Sequence, residues 1–160
     1  MEKGQKKDRK AKDMAHIDFN DVNRHSPLCF NGNCPSHGEC LRYMAGQQSP
    51  ESLRYHLCIV PQAVQGNRCE LFQPAEPVRV AYGFSHSYDD VLKQDFTPIR
   101  KELTAYLSNK RGYYKYLRGE WPLMPEQQQY VEEVFRRYGY EGKVVYDRTE
   151  YVFILEVVPY

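Results

Sequence analysis

The feature that most constrains this chain is a set of four cysteines in an aperiodic region. Cys29, Cys34 and Cys40 fall in LCFNGNCPSHGECLRY and Cys69 in NRCELF, with four, five and twenty-eight residues between successive members. From 16 to 48, Pro27, Gly32, Pro35, Gly38 and Gly46 break up any apolar stripe. A stretch of that length without a periodic apolar face needs something other than a core to order it. In a reducing compartment, clustered cysteines are metal ligands or reactive thiols more often than disulfides. Thiolate also selects its metals narrowly, because tetrahedral sulfur sites hold zinc and iron–sulfur clusters take four cysteines too. Cys29, Cys34, Cys40 and Cys69 are therefore expected as ligands of zinc or of an iron–sulfur cluster. Spacing does not choose between them. Structural zinc pairs favour shorter gaps, and the plant-type ferredoxin gap of four is matched only by the first pair. The plainer alternative is four reduced thiols in a turn-rich segment.

Other residues near the cluster have simpler readings. His25 and His37 stand close enough in sequence to replace a cysteine as ligand. Cys58, inside the apolar run LRYHLCIV, reads as a small buried core residue. Arg42 near Cys40 and Arg68 beside Cys69 would suit a reactive thiol, which needs a neighbouring cation to lower its pKa. Four protein thiolates leave zinc no open position, so the expected role of the site is structural, with metal-binding free energy becoming folding free energy.

The remaining text sets the fold class. Residues 1–16 are rich in Lys and Asp and lack periodicity, as expected of a disordered basic arm, followed by a single domain over 17–160 with subregions 17–76 and 77–160. Alternation predicts strands over 52–61 and 77–84, and a terminal hairpin pairs 144–146 with 151–158. Ser87 opens a short helix to Gln94, and Thr97 with Pro98 opens the next, whose apolar stripe is Ile99, Leu103, Tyr106 and Leu107. Asn109 to Gly112 ends it, a short helix spans 113–117, and Pro125 opens a last helix that stops at Gly139. The expected class is α+β: a small antiparallel sheet with a helical layer, plus a metal-stapled cysteine loop. Fourteen tyrosines in 160 residues are expected mostly at half-buried positions, with the ring inside and the hydroxyl outside.

Charge is balanced overall, 22 basic against 21 acidic residues, so any electrostatic argument is local. Between 97 and 118, Arg100, Lys101, Lys110, Arg111, Lys115 and Arg118 face Glu102 alone, among four tyrosines. Lys110, Arg111, Lys115 and Arg118 are the expected phosphate contacts of a nucleic-acid partner. An unidentified protein partner is the alternative. No run is long and apolar enough for a membrane span, and the opening MEKGQKKDRKAKDMAHIDF has no apolar core for a secretory signal, so no membrane partner and a cytoplasmic location are expected.

No phosphate-binding glycine loop, HExxH or nucleophile elbow occurs. Asp89, Asp90, Asp95, Glu102 and His86 would supply the residue types of a metal-dependent nuclease, although Asp89 and Asp90 are better explained as first-turn acids. The expected role is a non-catalytic, metal-stabilised binding or regulatory module. An iron–sulfur or redox accessory protein and a protein-interaction module with structural zinc are the alternatives.

Two resemblances accompany this reading. The segment YYKYLRGEWPLMPEQQQYVEEVFRRYG, with Gly119 and Pro125 as punctuation, resembles the later part of phage-repressor-type helix-turn-helix domains. That resemblance implies DNA contact through the same four basic residues. The whole chain, with its cysteine cluster before LRY and its later YY, RGE and PEQQ elements, resembles a family of small Bacteroidales proteins with no established activity.

Overall fold

A computed structural model of the chain describes residues 16–20 and 22–158; the expected arm over 1–16 lies outside them except for His16. The chain is mixed α+β, with four α-helices and two two-stranded sheets among the described residues. It divides into two compact units, Met1–Val78 with Tyr151–Tyr160, and Arg79–Glu150. No described helix is long and apolar enough to cross a membrane.

In the first unit a 3-10 turn at His37–Glu39 leads into helix α1, Leu41–Gln47, in a region whose sequence reads as irregular. Leu41 and Ala45, one turn apart, are buried with Leu28, Ala75, Phe153 and Leu155. Seven residues make too short a window for an apolar stripe to declare itself. Strands β1 (Val64–Gln65) and β2 (Arg68–Cys69) form a tight antiparallel hairpin that sets Val64 opposite Cys69.

The expected strand over 52–61 does not form. Only Cys58 makes a bridge, with Leu28, whose N–H donates to the Leu57 carbonyl at 2.9 Å and whose carbonyl accepts from Ile59 N–H at 2.8 Å. Tyr55, Leu57 and Val60 are exposed, and so is Cys58, contrary to its reading as a core residue. Alternation without a partner edge does not hold a strand.

The terminal hairpin is also corrected. Val145 is held by the Ser87 hydroxyl, which accepts its N–H at 2.8 Å and donates to its carbonyl at 3.2 Å, so 144–146 is not offered as a strand. Strand β4 (Arg148–Val152) pairs instead with β3 (Val78–Tyr82), and the unit boundary falls within both strands. Beyond β4, residues 153–156 are fixed by side chains of the first unit. Phe153 and Leu155 enter its core, the Ser26 hydroxyl donates to Leu155 O, and the Gln73 side chain bonds Ile154 O and Glu156 N–H.

In the second unit, helices α2 (Lys93–Tyr106), α3 (Lys110–Leu117) and α4 (Pro125–Arg137) enclose Phe84, Ile99, Leu103, Tyr113, Val131, Val134 and Phe135, all with Ala81 in one core. A 3-10 turn at Ser85–Tyr88 stands where the sequence suggests the start of a helix at Ser87. Pro98 lies inside α2 rather than opening it. The first turn is held by Leu92 O, which accepts from Asp95 and Phe96, so only the Gln94 carbonyl loses its usual donor, and Gln94 is exposed to water. Asn109 is a cap rather than a stop: its side chain accepts the Gly112 N–H at 3.0 Å and starts α3 three residues earlier than expected. The last helix forms as read, and Gly139 at φ +90 takes the left-handed turn after it. The tyrosines behave as amphipathic fillers, since Tyr113 donates to Tyr88 at 2.9 Å and Tyr146 to Glu132 at 3.2 Å while both rings pack on the core.

Candidate metal centre

Cys29, Cys34, Cys40 and Cys69 line one small cavity in the first unit, of about 10 Å³. Three separate pieces of backbone bring them there. Cys29 follows the Leu28 bridge and donates its N–H to Arg42 O at 3.0 Å, so the loop that carries it lies along α1. Gly46 permits this approach: a Cβ at that position would collide with the Cys29 carbonyl. Cys34 starts a run of tight turns, in which His37 N–H donates to Cys34 O at 3.1 Å and Cys40 N–H to His37 O at 3.2 Å. Cys40 caps α1 and bridges Pro74. Cys69 arrives on the β1–β2 hairpin and accepts the Phe72 N–H at its carbonyl, at 3.2 Å.

The thiols of Cys29, Cys34 and Cys40 belong to residues less than a tenth exposed, Cys69 is half-buried, and none of the five cysteines is in a disulfide. Burial pushes the Cys29 thiol above the ordinary cysteine range, the thiols of Cys40, Cys34 and Cys69 push the same way, and a hydrogen bond from the Asn31 backbone N–H pulls against them. A Cys29 thiolate beside three further sulfurs is costly to form unless a cation joins them. Among the described residues, no group of three or more His, Cys, Asp or Glu side chains is placed to hold a metal ion, although the four cysteines line one cavity.

Two further residues attend the cavity. His37 lines it and bonds Cys34 O through Nδ1 at 2.7 Å; a carbonyl only accepts, so Nδ1 carries the hydrogen and a neutral ring keeps its lone pair on Nε2. Its ring packs edge-on against Tyr43. His25 is not among the lining residues. Arg42, on α1, is 4% exposed and donates Nε to Leu71 O at 3.0 Å and Nη1 to Glu156 O at 2.9 Å and Pro27 O at 3.4 Å. Burial lowers its pKa, while Cys40, Glu156 and Cys69 favour its charge, so a buried cation sits within electrostatic reach of two of the four thiols. Proximity in sequence hints at Cys40 alone; the tie to residues 71 and 156 has no local signal.

The residues expected to contact nucleic acid lie on α3. Lys115 Nζ stands over the Trp121 ring at 4.4 Å, and Arg118 pairs with Glu120 at 2.7 Å. Lys110 and Arg111 are exposed with no ion pair among the described residues. The acids that would furnish a nuclease are engaged separately. Asp89 pairs with His86, Asp95 accepts from the Tyr140 hydroxyl and Glu102 from Arg137.

A model of a family of unknown function (DUF6078) matches residues 8–156, and the chain belongs to that family. No curated protein and no solved structure shows significant similarity to it.

Proposed function

We propose that in this family member Cys29, Cys34, Cys40 and Cys69 hold one structural zinc ion, and that the chain is a non-catalytic, metal-stabilised binding or regulatory module. The observation that carries this reading is the convergence of four thiols from three separate segments on one small cavity. Its volume of about 10 Å³ is near that of a single water-sized sphere, which suits one ion. A divalent cation would remove the mutual repulsion of the thiolates. Arg42 would offset the net negative charge of a tetrathiolate zinc site, and the Asn31 N–H on Cys29 is a contact of the kind that steadies bound thiolate. Ligation would require the cysteine side chains that line the cavity to rearrange. The metal would then join the loop at 29, the turns at 34–40 and the hairpin at 69, in a unit whose apolar core has six buried members among the described residues.

The binding role belongs to the second unit. With Lys115 on Trp121 and Arg118 on Glu120, the expected nucleic-acid surface offers Lys110 and Arg111 as its free cations, few for a site that must track a phosphate backbone.

Elemental analysis and an ultraviolet–visible spectrum, on protein purified without added metal and without oxygen, test the metal. The expected result is about one zinc per chain and no visible absorbance. Cys34→Ser should lose the metal and its protease resistance, while Cys58→Ser, outside the cavity, should keep both. A brown, iron-containing chain would replace zinc by a cluster. A metal-free chain as protease-resistant as the metal-bound one would overturn the proposal.

A further inference from the structure

The second unit carries a groove of about 310 Å³ lined by Thr97, Arg100, Lys101, Thr104, Lys110 and Tyr114. The first four are spaced i, i+3, i+4 and i+7 along α2, so they form one stripe on that helix. Lys110 and Tyr114 are one turn apart on α3 and line the same groove from the other side. The lining therefore holds three cations, two aliphatic hydroxyls and a phenol, and no carboxylate.

Elsewhere in this unit three arginines are paired with acids, Arg118 with Glu120, Arg136 with Glu133 and Arg137 with Glu102, while Arg79 bonds the Gln128 side chain and Arg148 lies over the Tyr82 ring. Arg100, Lys101 and Lys110 have no ion pair among the described residues, and Arg100 leans on the Phe96 ring, 5.7 Å from its centroid. Three like charges facing one concavity repel each other, and the repulsion is relieved by an anion seated between them. A guanidinium fork, two ammonium groups and two hydroxyl donors match the several acceptor oxygens and double charge of a phosphate monoester better than the single charge of a carboxylate. Lys110 is also the first residue of α3, so the partial positive charge of that helix end adds to the same field. The groove exceeds the needs of phosphate alone and is at the lower end of small-ligand sites, and Tyr114 gives it an aromatic wall.

We propose that this groove binds the phosphate group of a small phosphomonoester, with Arg100, Lys101 and Lys110 as charge partners and Thr97 and Thr104 as hydroxyl donors. The site is independent of the cysteine cavity and does not require metal there.

The test is equilibrium dialysis of the full chain against inorganic phosphate, adenosine 5′-monophosphate, and a short single-stranded oligonucleotide without terminal phosphate. Saturable binding of the first two at one site per chain is expected, weakened about tenfold or more by Arg100→Gln with Lys101→Gln. Lys110→Gln alone should weaken it less, and Arg111→Gln, outside the groove, should leave it within about twofold. Far-ultraviolet circular dichroism confirms that the variants are folded. The proposal falls if neither phosphate compound binds saturably, or if the double variant binds as the parent does. Binding of the oligonucleotide alone would also refute it, since the surface would then read a nucleic-acid backbone.

Discussion

Replacing Arg42 by Met removes the side chain that most directly ties the cysteine-bearing unit together. The guanidinium reaches carbonyls at 27, 71 and 156, positions separated by up to 129 residues, and it does so at 4% exposure. A hydrogen bond to a charged group contributes about 1.5–3 kcal/mol. The bonds to Leu71 and Glu156, at 3.0 and 2.9 Å, count in full, and the 3.4 Å bond to Pro27 adds little, giving roughly 3–6 kcal/mol gross. Burying a thioether instead of a cation recovers part of this through desolvation, so a net loss of about 2–4 kcal/mol is expected. Against a domain stability of about 5–15 kcal/mol that is a large fraction. Because the chain has two compact units, the assay should resolve them: native-state hydrogen exchange, with amides around Leu28, Leu41 and Phe153 losing protection while those around Leu103 and Val131 keep theirs. Zinc affinity should fall about 10–100-fold in the same variant, because the positive charge near Cys40 and Cys69 is gone. Arg42→Lys keeps the charge but has no planar fork to serve three carbonyls, and should recover affinity more than stability. Protection in Arg42→Met within about 0.5 kcal/mol of the parent would refute the assignment of Arg42 as the tie.

Other expectations are more local. Gly46→Ala gains helix propensity but drives a methyl into the Cys29 carbonyl, so a net destabilisation of about 1–3 kcal/mol is expected by urea titration of the first unit. In metal-free protein the Cys29 pKa is raised by burial, a group of this sign stabilises the fold below the unfolded thiol pKa of about 8.5, and that stability should disappear as pH climbs through the higher folded value. Alkylation kinetics provide the check, since exposed Cys58 should react well before Cys29 at every pH in that window. Lys115→Ala strips the ammonium from the Trp121 ring and should shift the emission of this single tryptophan while costing no more than about 1 kcal/mol in thermal unfolding. Burial and the Tyr113 hydrogen bond raise the Tyr88 pKa, and burial raises that of Tyr146, so a spectrophotometric titration of the folded chain should leave these hydroxyls protonated until alkaline unfolding releases them together.

Short-range physics set the elements that residue order alone makes readable. The stripe of Val131, Val134 and Phe135 behind Pro125, with Gly139 to stop it, is a complete local instruction for a helix, and it folds as read. Alternation marks β3, and the tyrosines' mixed chemistry marks their half-buried seats. The four cysteines were legible as a set because thiols are scarce and chemically distinct, and they do line one cavity. Local signals failed where a partner far along the chain made the decision. Alternation over 52–61 had no edge to pair with, and Ser87 took Val145 out of the expected hairpin. Thr97 and Pro98 form a good helix opening read alone, yet α2 begins earlier, where the Tyr140 hydroxyl accepts the Leu92 N–H and donates to Asp95, and the proline lies inside. Only tertiary structure put Leu71, Glu156 and Pro27 around Arg42, and Arg100, Lys101 and Lys110 around one groove. Contacts across such separations leave no periodicity in the chain, since they depend on which surfaces meet after the local elements have formed.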